Sequence, residues 1–179
     1  ADYLDEHGID VQLSFDGVQT AQRYRGRGTF EILDGVLDSL RAKHPQLFRN
    51  RLRIALTAIP VTFLFLADSV KYLLEKDVRE IRISPCITPY PGWESGSINK
   101  LDAEFARVAE ISRNHLEQTG AVPVTILRKA SDEIPKRSGT LPACNALTGD
   151  ALTMDLDGQL YTCSLFAESY QKFPPSSLM

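Results

Sequence analysis

Ser14, Asp16 and Arg25 stand within one short stretch, residues 11–31, which reads VQLSFDGVQTAQRYRGRGTFE. Val11, Leu13 and Phe15 alternate with Gln12, Ser14 and Asp16, and the alternation stops at Asp16-Gly17. That pattern predicts a half-buried strand ending abruptly in a turn. A hydroxyl and a carboxylate then lie at the strand's C-terminal end, where α/β barrels and open α/β sheets collect their chemistry, and an arginine-rich, glycine-punctuated loop brings Arg25 next. A second pair of reactive side chains comes late. Cys144 and Cys163 are spaced C-x13-G-x4-C, with Asp157-Gly158 between two alternating runs as a hairpin signal. Such a hairpin returns Cys163 toward the level where its first strand began, near Cys144.

Each of these has a plainer reading. Ser14 and Asp16 at a strand end can be turn formers, and Arg23, Arg25 and Arg27 can be a solvated loop. Cys86 reads as a small buried residue, His7, His44 and His115 share no ligand spacing, and Tyr90 and Trp93 can anchor a loop. Taken alone, Cys144 and Cys163 are two thiols.

The elements that must position these groups follow from two alternating periods. Phe30, Leu33, Leu37 and Leu40 recur at helical spacing behind Thr29, which can cap the helix, with Glu31 at the positive end of the dipole and an end near Pro45. Leu52 to Ile59 alternates as a strand closed by Pro60, and Leu66, Val70, Leu73 and Leu74 share a helix face. Ile81, Ile83 and Pro85 mark a third strand that opens into the loop ITPYPGWESGS. Ile98, Leu101, Phe105, Val108, Ser112 and Leu116 trace a third helical stripe, with Asp102 and Glu104 in its first turns and Gly120 as a left-handed stop. Val122 to Leu127 reads as a fourth strand.

Strands alternating with helices predict βαβ units and a parallel sheet. Four strands and three helices make half a barrel. The predicted inner wall, Gln12, Ser14, Asp16, Arg53, Thr57, Arg82, Ser84, Cys86 and Thr125, is polar, whereas a barrel interior packed for stability favours branched aliphatics. That polarity suggests a ligand cavity. After Ser131 a proline- and glycine-broken segment leads to the hairpin, which sets the expected boundary: 1–130 as the half-barrel and 131–179 as a linker with a small β-hairpin appendage.

At 179 residues and 43% hydrophobic content the chain suits one domain with an appendage. A net charge of −3 and a pI near 5.6 argue against nucleic acid as a partner. The acidic start and a longest apolar run broken by a proline predict neither an export signal nor a membrane span. Three widely spaced cysteines fit a reducing compartment, so cytoplasm is the expected location.

LSFDG at a strand end, RYRGRGTFE leading into a helix, and C-x13-G-x4-C with GQLYTC together resemble radical S-adenosylmethionine (radical SAM) enzymes that carry a SPASM or twitch-type auxiliary domain. The resemblance covers nearly the whole chain. It implies the C-terminal half of a partial (β/α)6 TIM-like barrel followed by the opening of the auxiliary iron–sulfur domain. On this resemblance Ser14 and Arg25 match positions that hold the amino-acid end of S-adenosylmethionine, a carboxylate that a guanidinium suits through charge-assisted contacts. Asp16 would brace the turn, and Ala21-Gln22 stand where the family often has His-Asp. Cys144 and Cys163 match the first two ligands of an auxiliary [4Fe–4S] cluster.

The family's C-x3-C-x2-C loop does not occur in these residues, so the resemblance implies a fragment of a longer enzyme, inert by itself and binding neither S-adenosylmethionine nor a cluster alone. The parent would cleave S-adenosylmethionine to a 5′-deoxyadenosyl radical and modify a peptide, protein or small-molecule substrate. The alternative is a non-catalytic peptide-binding or interaction module whose open barrel edge favours self-association or capture of an extended peptide.

Overall fold

The computed structural model describes residues 1–86, 92–94, 96–128, 152–154 and 157–163. The chain divides into two compact units, Ala1–Lys129 and Ala130–Met179. In the first, α1 (Asp2–Glu6), β1 (Val11–Ser14), α2 (Gln19–Arg25), α3 (Phe30–Lys43), α4 (Pro45–Asn50), β2 (Leu52–Ala58), α5 (Leu66–Glu75), β3 (Ile81–Pro85) and α6 (Ser97–Thr119) follow in order. The strands form one sheet, β1-β2-β3, parallel throughout. Parallel neighbours need long crossovers, and the helices between the strands supply them.

The period-2 pattern decides which face is covered. Along β2, Leu52, Ile54, Leu56 and Ala58 are buried, Arg53 is exposed, and Ala55 and Thr57 are half-buried. Along β3, Ile81 and Ile83 are buried, whereas Arg82 and Ser84 are exposed. Parallel register puts Leu13, Ile54 and Ile81 in one row, and this apolar face shares a core with Leu37 of α3, Phe48 of α4, Leu66, Val70 and Leu73 of α5, and Val108 of α6. Each such side chain stabilises the fold by roughly 1.5–3 kcal/mol through the apolar area removed from water.

Polar ties fix how the helices dock. Lys76, just past the end of α5, reaches Asp34 at 2.6 Å and Asp38 at 3.0 Å on α3, and the Tyr72 hydroxyl donates to the same Asp34 carboxylate. The bond from Lys76, then that from Tyr72, holds Asp34 below the ordinary carboxylate value. Lys76 is raised by its bond to Asp34, and Tyr72 is raised first by burial and then by Asp34. On the other side of α5, the buried Glu104 of α6 accepts the Ala67 N–H at 3.3 Å and pairs with Arg107 at 2.6 Å. Trp93 stacks on Phe63, ring centroids 6.0 Å apart, and so anchors the segment leading into α6.

Several expectations need correction. The arginine-rich segment is not a loop, because Gln19–Arg25 is the helix α2. Its inner residues are Ala21 and the polar Gln22, so no apolar stripe announces it. Thr29 does not cap α3 with its side chain; its hydroxyl donates instead to the Gly26 carbonyl. Pro45, where the first helical stripe stops, opens a further helix at N1, a position that needs no N–H.

Val122–Leu127 is not a fourth strand. A single parallel bridge joins Val124 to Ile81, and Thr125–Leu127 turns into a 3₁₀ helix. Pro123 offers a carbonyl to the Ile81 N–H but has no N–H to extend a ladder. Asp102 and Glu104 lie beyond the first turn of α6, and Ile98 and Leu116 leave the buried stripe, Ile98 being 70% exposed. With 23 residues against 10 in α5, α6 overruns the helix it packs on.

In the second unit β4 (Thr153–Met154) and β5 (Leu160–Tyr161) form an antiparallel pair, with Thr153 opposite Tyr161 and Met154 opposite Leu160. Gly158, at φ +79°, lies between the two paired segments. Among the described residues no helix is long and apolar enough to cross a membrane.

Candidate functional site

At the C-terminal end of β1 the backbone ladder stops and side chains take over. Ser14 is paired with Ala55, and the Phe15 N–H still donates to the Ala55 carbonyl, while the Phe15 ring is fully buried. One step on, the Asp16 carboxylate accepts the Thr57 N–H at 2.9 Å, two residues past the last β2 position paired with β1. A side chain thus satisfies a backbone donor that β1 no longer reaches.

The turn that follows is possible only for glycine. Gly17 has φ +81°, and a Cβ there would meet the Ser69 Cβ at 2.4 Å and its Cα at 2.8 Å. Close approach to α5 and a left-handed backbone coincide at one residue. The chain then enters α2, which carries two side chains back to Asp16. Gln22, 1% exposed, accepts the Asp16 N–H through Oε1 at 2.8 Å and donates Nε2 to the Thr29 hydroxyl at 2.8 Å. Arg25 donates Nε to Asp16 Oδ2 at 2.9 Å, and Nη2 to Asp16 Oδ1 at 2.7 Å and to Thr57 Oγ1 at 2.9 Å.

The result is a bidentate ion pair at the carboxyl end of two parallel strands, with side chains 7% exposed for Asp16 and 30% for Arg25. Of the five guanidinium N–H donors, the three bonds just named use three. The two on Nη1 are unused among the described residues, so the group can still receive an anion while Asp16 holds its plane.

The predicted site residues therefore fall in three places. Ser14 lies on the exposed polar face of the sheet, and Arg25 lies at the strand ends in the network with Asp16 and Thr57. Asp16 does more than brace its own turn, since it bonds to β2 and α2. Cys163 is half-buried, two residues beyond the end of β5 in the second unit, and Cys144 lies outside the described residues. Gln22, at the position where the resembled family often has an aspartate, is the buried connector; a polar residue in an arginine-rich run gives no periodic signal of that role.

The arginine cluster itself divides. Arg25 turns to the sheet, while Arg23, which lies over the Tyr24 ring, and Arg27 line a cleft of about 260 Å³ between α2 and α3. His44 sits between Asp2 and Asp5 at 3.3 and 3.2 Å, tying α1 to α4, and His7 stacks on Tyr3. Among the described residues no three His, Cys, Asp or Glu side chains converge to hold a metal ion.

Comparison with protein-family models, with curated proteins and with solved structures returned no match.

Proposed function

We propose that these residues form part of the partial barrel of a radical SAM enzyme, with Ser14 and Arg25 holding the amino-acid end of S-adenosylmethionine at the carboxyl end of the sheet. The observation that carries the reading is the Asp16–Arg25–Thr57 network, which fixes a guanidinium beside the strand ends and leaves Nη1 to bond a carboxylate. The residues fit that ligand group. Arg25 supplies charge and directional donors from α2, and Ser14 supplies a hydroxyl at the end of β1, one residue beyond a core-packed leucine.

When bound, the cofactor and its iron–sulfur cluster supply the radical chemistry, and the protein's part is to position and to exclude. Asp16 orients the guanidinium, Gln22 holds Asp16 in place, and the buried Phe15 anchors the strand end. Cys144 and Cys163 would give two thiolates to an auxiliary cluster, and the cluster loop that starts the reaction would come from chain outside these residues. The substrate is a peptide, protein or small molecule, the setting is the reducing cytoplasm, and the three-stranded sheet is half of a TIM-like barrel. The open outer side of β1 favours a second reading, a non-catalytic module that captures an extended peptide or a second copy of itself.

Anaerobic reconstitution of the full-length protein with iron and sulfide, followed by reduction in the presence of S-adenosylmethionine, tests the proposal. Formation of 5′-deoxyadenosine, diminished by Arg25→Gln, supports it. Absence of that product, together with absence of a C-x3-C-x2-C loop roughly a hundred residues upstream of Val11 as ordinary βα unit lengths require, overturns it in favour of the module.

A further inference from the structure

The exposed face of the sheet carries two arginines in different electrostatic situations. Arg53 is neutralised, since its guanidinium meets Glu80 at 2.7 Å and Asp10 at 3.3 Å. Glu80 is shared further with Arg128 at 3.3 Å. Arg82 is also exposed on this face, and among the described residues it makes neither a hydrogen bond nor an ion pair.

Its neighbours on this face are fixed by the strand register. Parallel register places Ser14, Ala55 and Arg82 in one row across the three strands, and Thr57 and Ser84 in the next. The small Ala55 leaves space between the outer two, whose strands are about 10 Å apart at ordinary strand spacing. Purely parallel sheets are almost always covered on both faces, and an arginine covered without an anion costs several kcal/mol.

We infer that this face receives a carboxylate of the substrate, with Arg82 as its charge partner and Ser84 as a hydroxyl beside it. The inference rests on the reading of this face as the lining of a reaction chamber and adds the class of substrate that it takes: one bearing a carboxylate, such as an acidic side chain of a peptide. Arg25, at the strand ends, keeps only Nη1 for a ligand and is assigned above to S-adenosylmethionine. Arg82 offers all five donors, enough for a bidentate contact.

The test titrates the full-length protein with N-acetylglutamate and, separately, with its uncharged analogue N-acetylglutamine, following backbone amide resonances. The expected result is saturable shifts at Ser14, Ala55, Arg82 and Ser84 with the acid only, weakened about tenfold or more by Arg82→Gln and kept by Arg53→Gln. Arg82 is exposed and unpaired, so Arg82→Gln leaves the fold intact, which its own spectrum verifies. Equal shifts with the amide, no saturable shift, or binding that survives Arg82→Gln overturns the inference. The outcome separates from that of the reconstitution: 5′-deoxyadenosine formation with no carboxylate binding removes this inference alone, whereas binding without that product removes the radical SAM reading and leaves an anion site on an interaction module.

Discussion

Arg25 and Asp16, nine residues apart, grip each other through two parallel N–H···O bonds of 2.9 and 2.7 Å, one side chain arriving from a helix and the other from a strand end. The pair also closes the sheet, because the same Asp16 oxygen that meets Nη2 accepts the Thr57 N–H. Three elements meet at one carboxylate.

Asp16→Asn therefore has a structural and a functional consequence. An amide can keep the oxygen that accepts from Arg25 Nη2 and the Thr57 N–H, but it sets an NH2 donor against Arg25 Nε and loses the charge. The expected loss is about 1–3 kcal/mol, less than for a fully buried pair because Arg25 is partly exposed to water. Urea denaturation of the two proteins measures it. Under the proposed function, the same substitution in the reconstituted full-length protein raises KM for S-adenosylmethionine more than it lowers kcat, since Asp16 acts by positioning Arg25.

Gly17→Ala is the most damaging small change expected near the site. The left-handed backbone costs a residue with a Cβ about 1–2 kcal/mol, and the clash with Ser69 adds about 1–3 kcal/mol. Ser69→Ala does not rescue it, because the Ser69 Cα is itself only 2.8 Å from the new atom. A thermal melt of the single and double variants checks both statements.

Glu104 caps a helix other than its own. Its carboxylate meets the first turn of α5, where negative charge is favoured, and Arg107 and Asp68 extend the contact at the surface. Glu104→Ala is expected to destabilise by about 1–3 kcal/mol, because the Ala67 N–H loses its acceptor in a buried setting. Glu104→Gln retains an acceptor and costs less, a ranking that chemical denaturation reads directly.

The Asp34, Tyr72 and Lys76 tie gives a stability that falls at both ends of the pH scale. Asp34 titrates lower in the folded chain, so its contribution is complete above its ordinary value of 3.8 and is lost as pH falls through the lowered one. Lys76 and Tyr72 titrate higher when folded. Their contributions are complete below their ordinary values of 10.5 and 10.0 and are lost as pH rises toward the raised ones. Tyr72→Phe removes the tyrosine part of the alkaline loss, and Lys76→Met removes the lysine part and the largest single cause of the depression of Asp34. Denaturation midpoints across pH 2–12 (about ten points) separate the three contributions.

The amino-acid sequence by itself determined the strands β1, β2 and β3, the stripes of α3 and α5, and the hairpin around Gly158. In each, a local period of 2 or 3.6, or a turn residue, states which side meets the core, and no distant partner is needed to read it. Only the tertiary structure decided that Gln19–Arg25 is a helix, that Gln22 is buried, that Arg25 parts company from Arg23 and Arg27, and that Glu104 serves α5. These outcomes depend on polar groups meeting across 6 to 41 residues of chain. A hydrogen bond has no sequence period, so its partner exists only once the elements have docked. Val124 shows the same division: its strand-like neighbourhood is local, but a proline beside the β3 edge reduced the pairing to a single bridge.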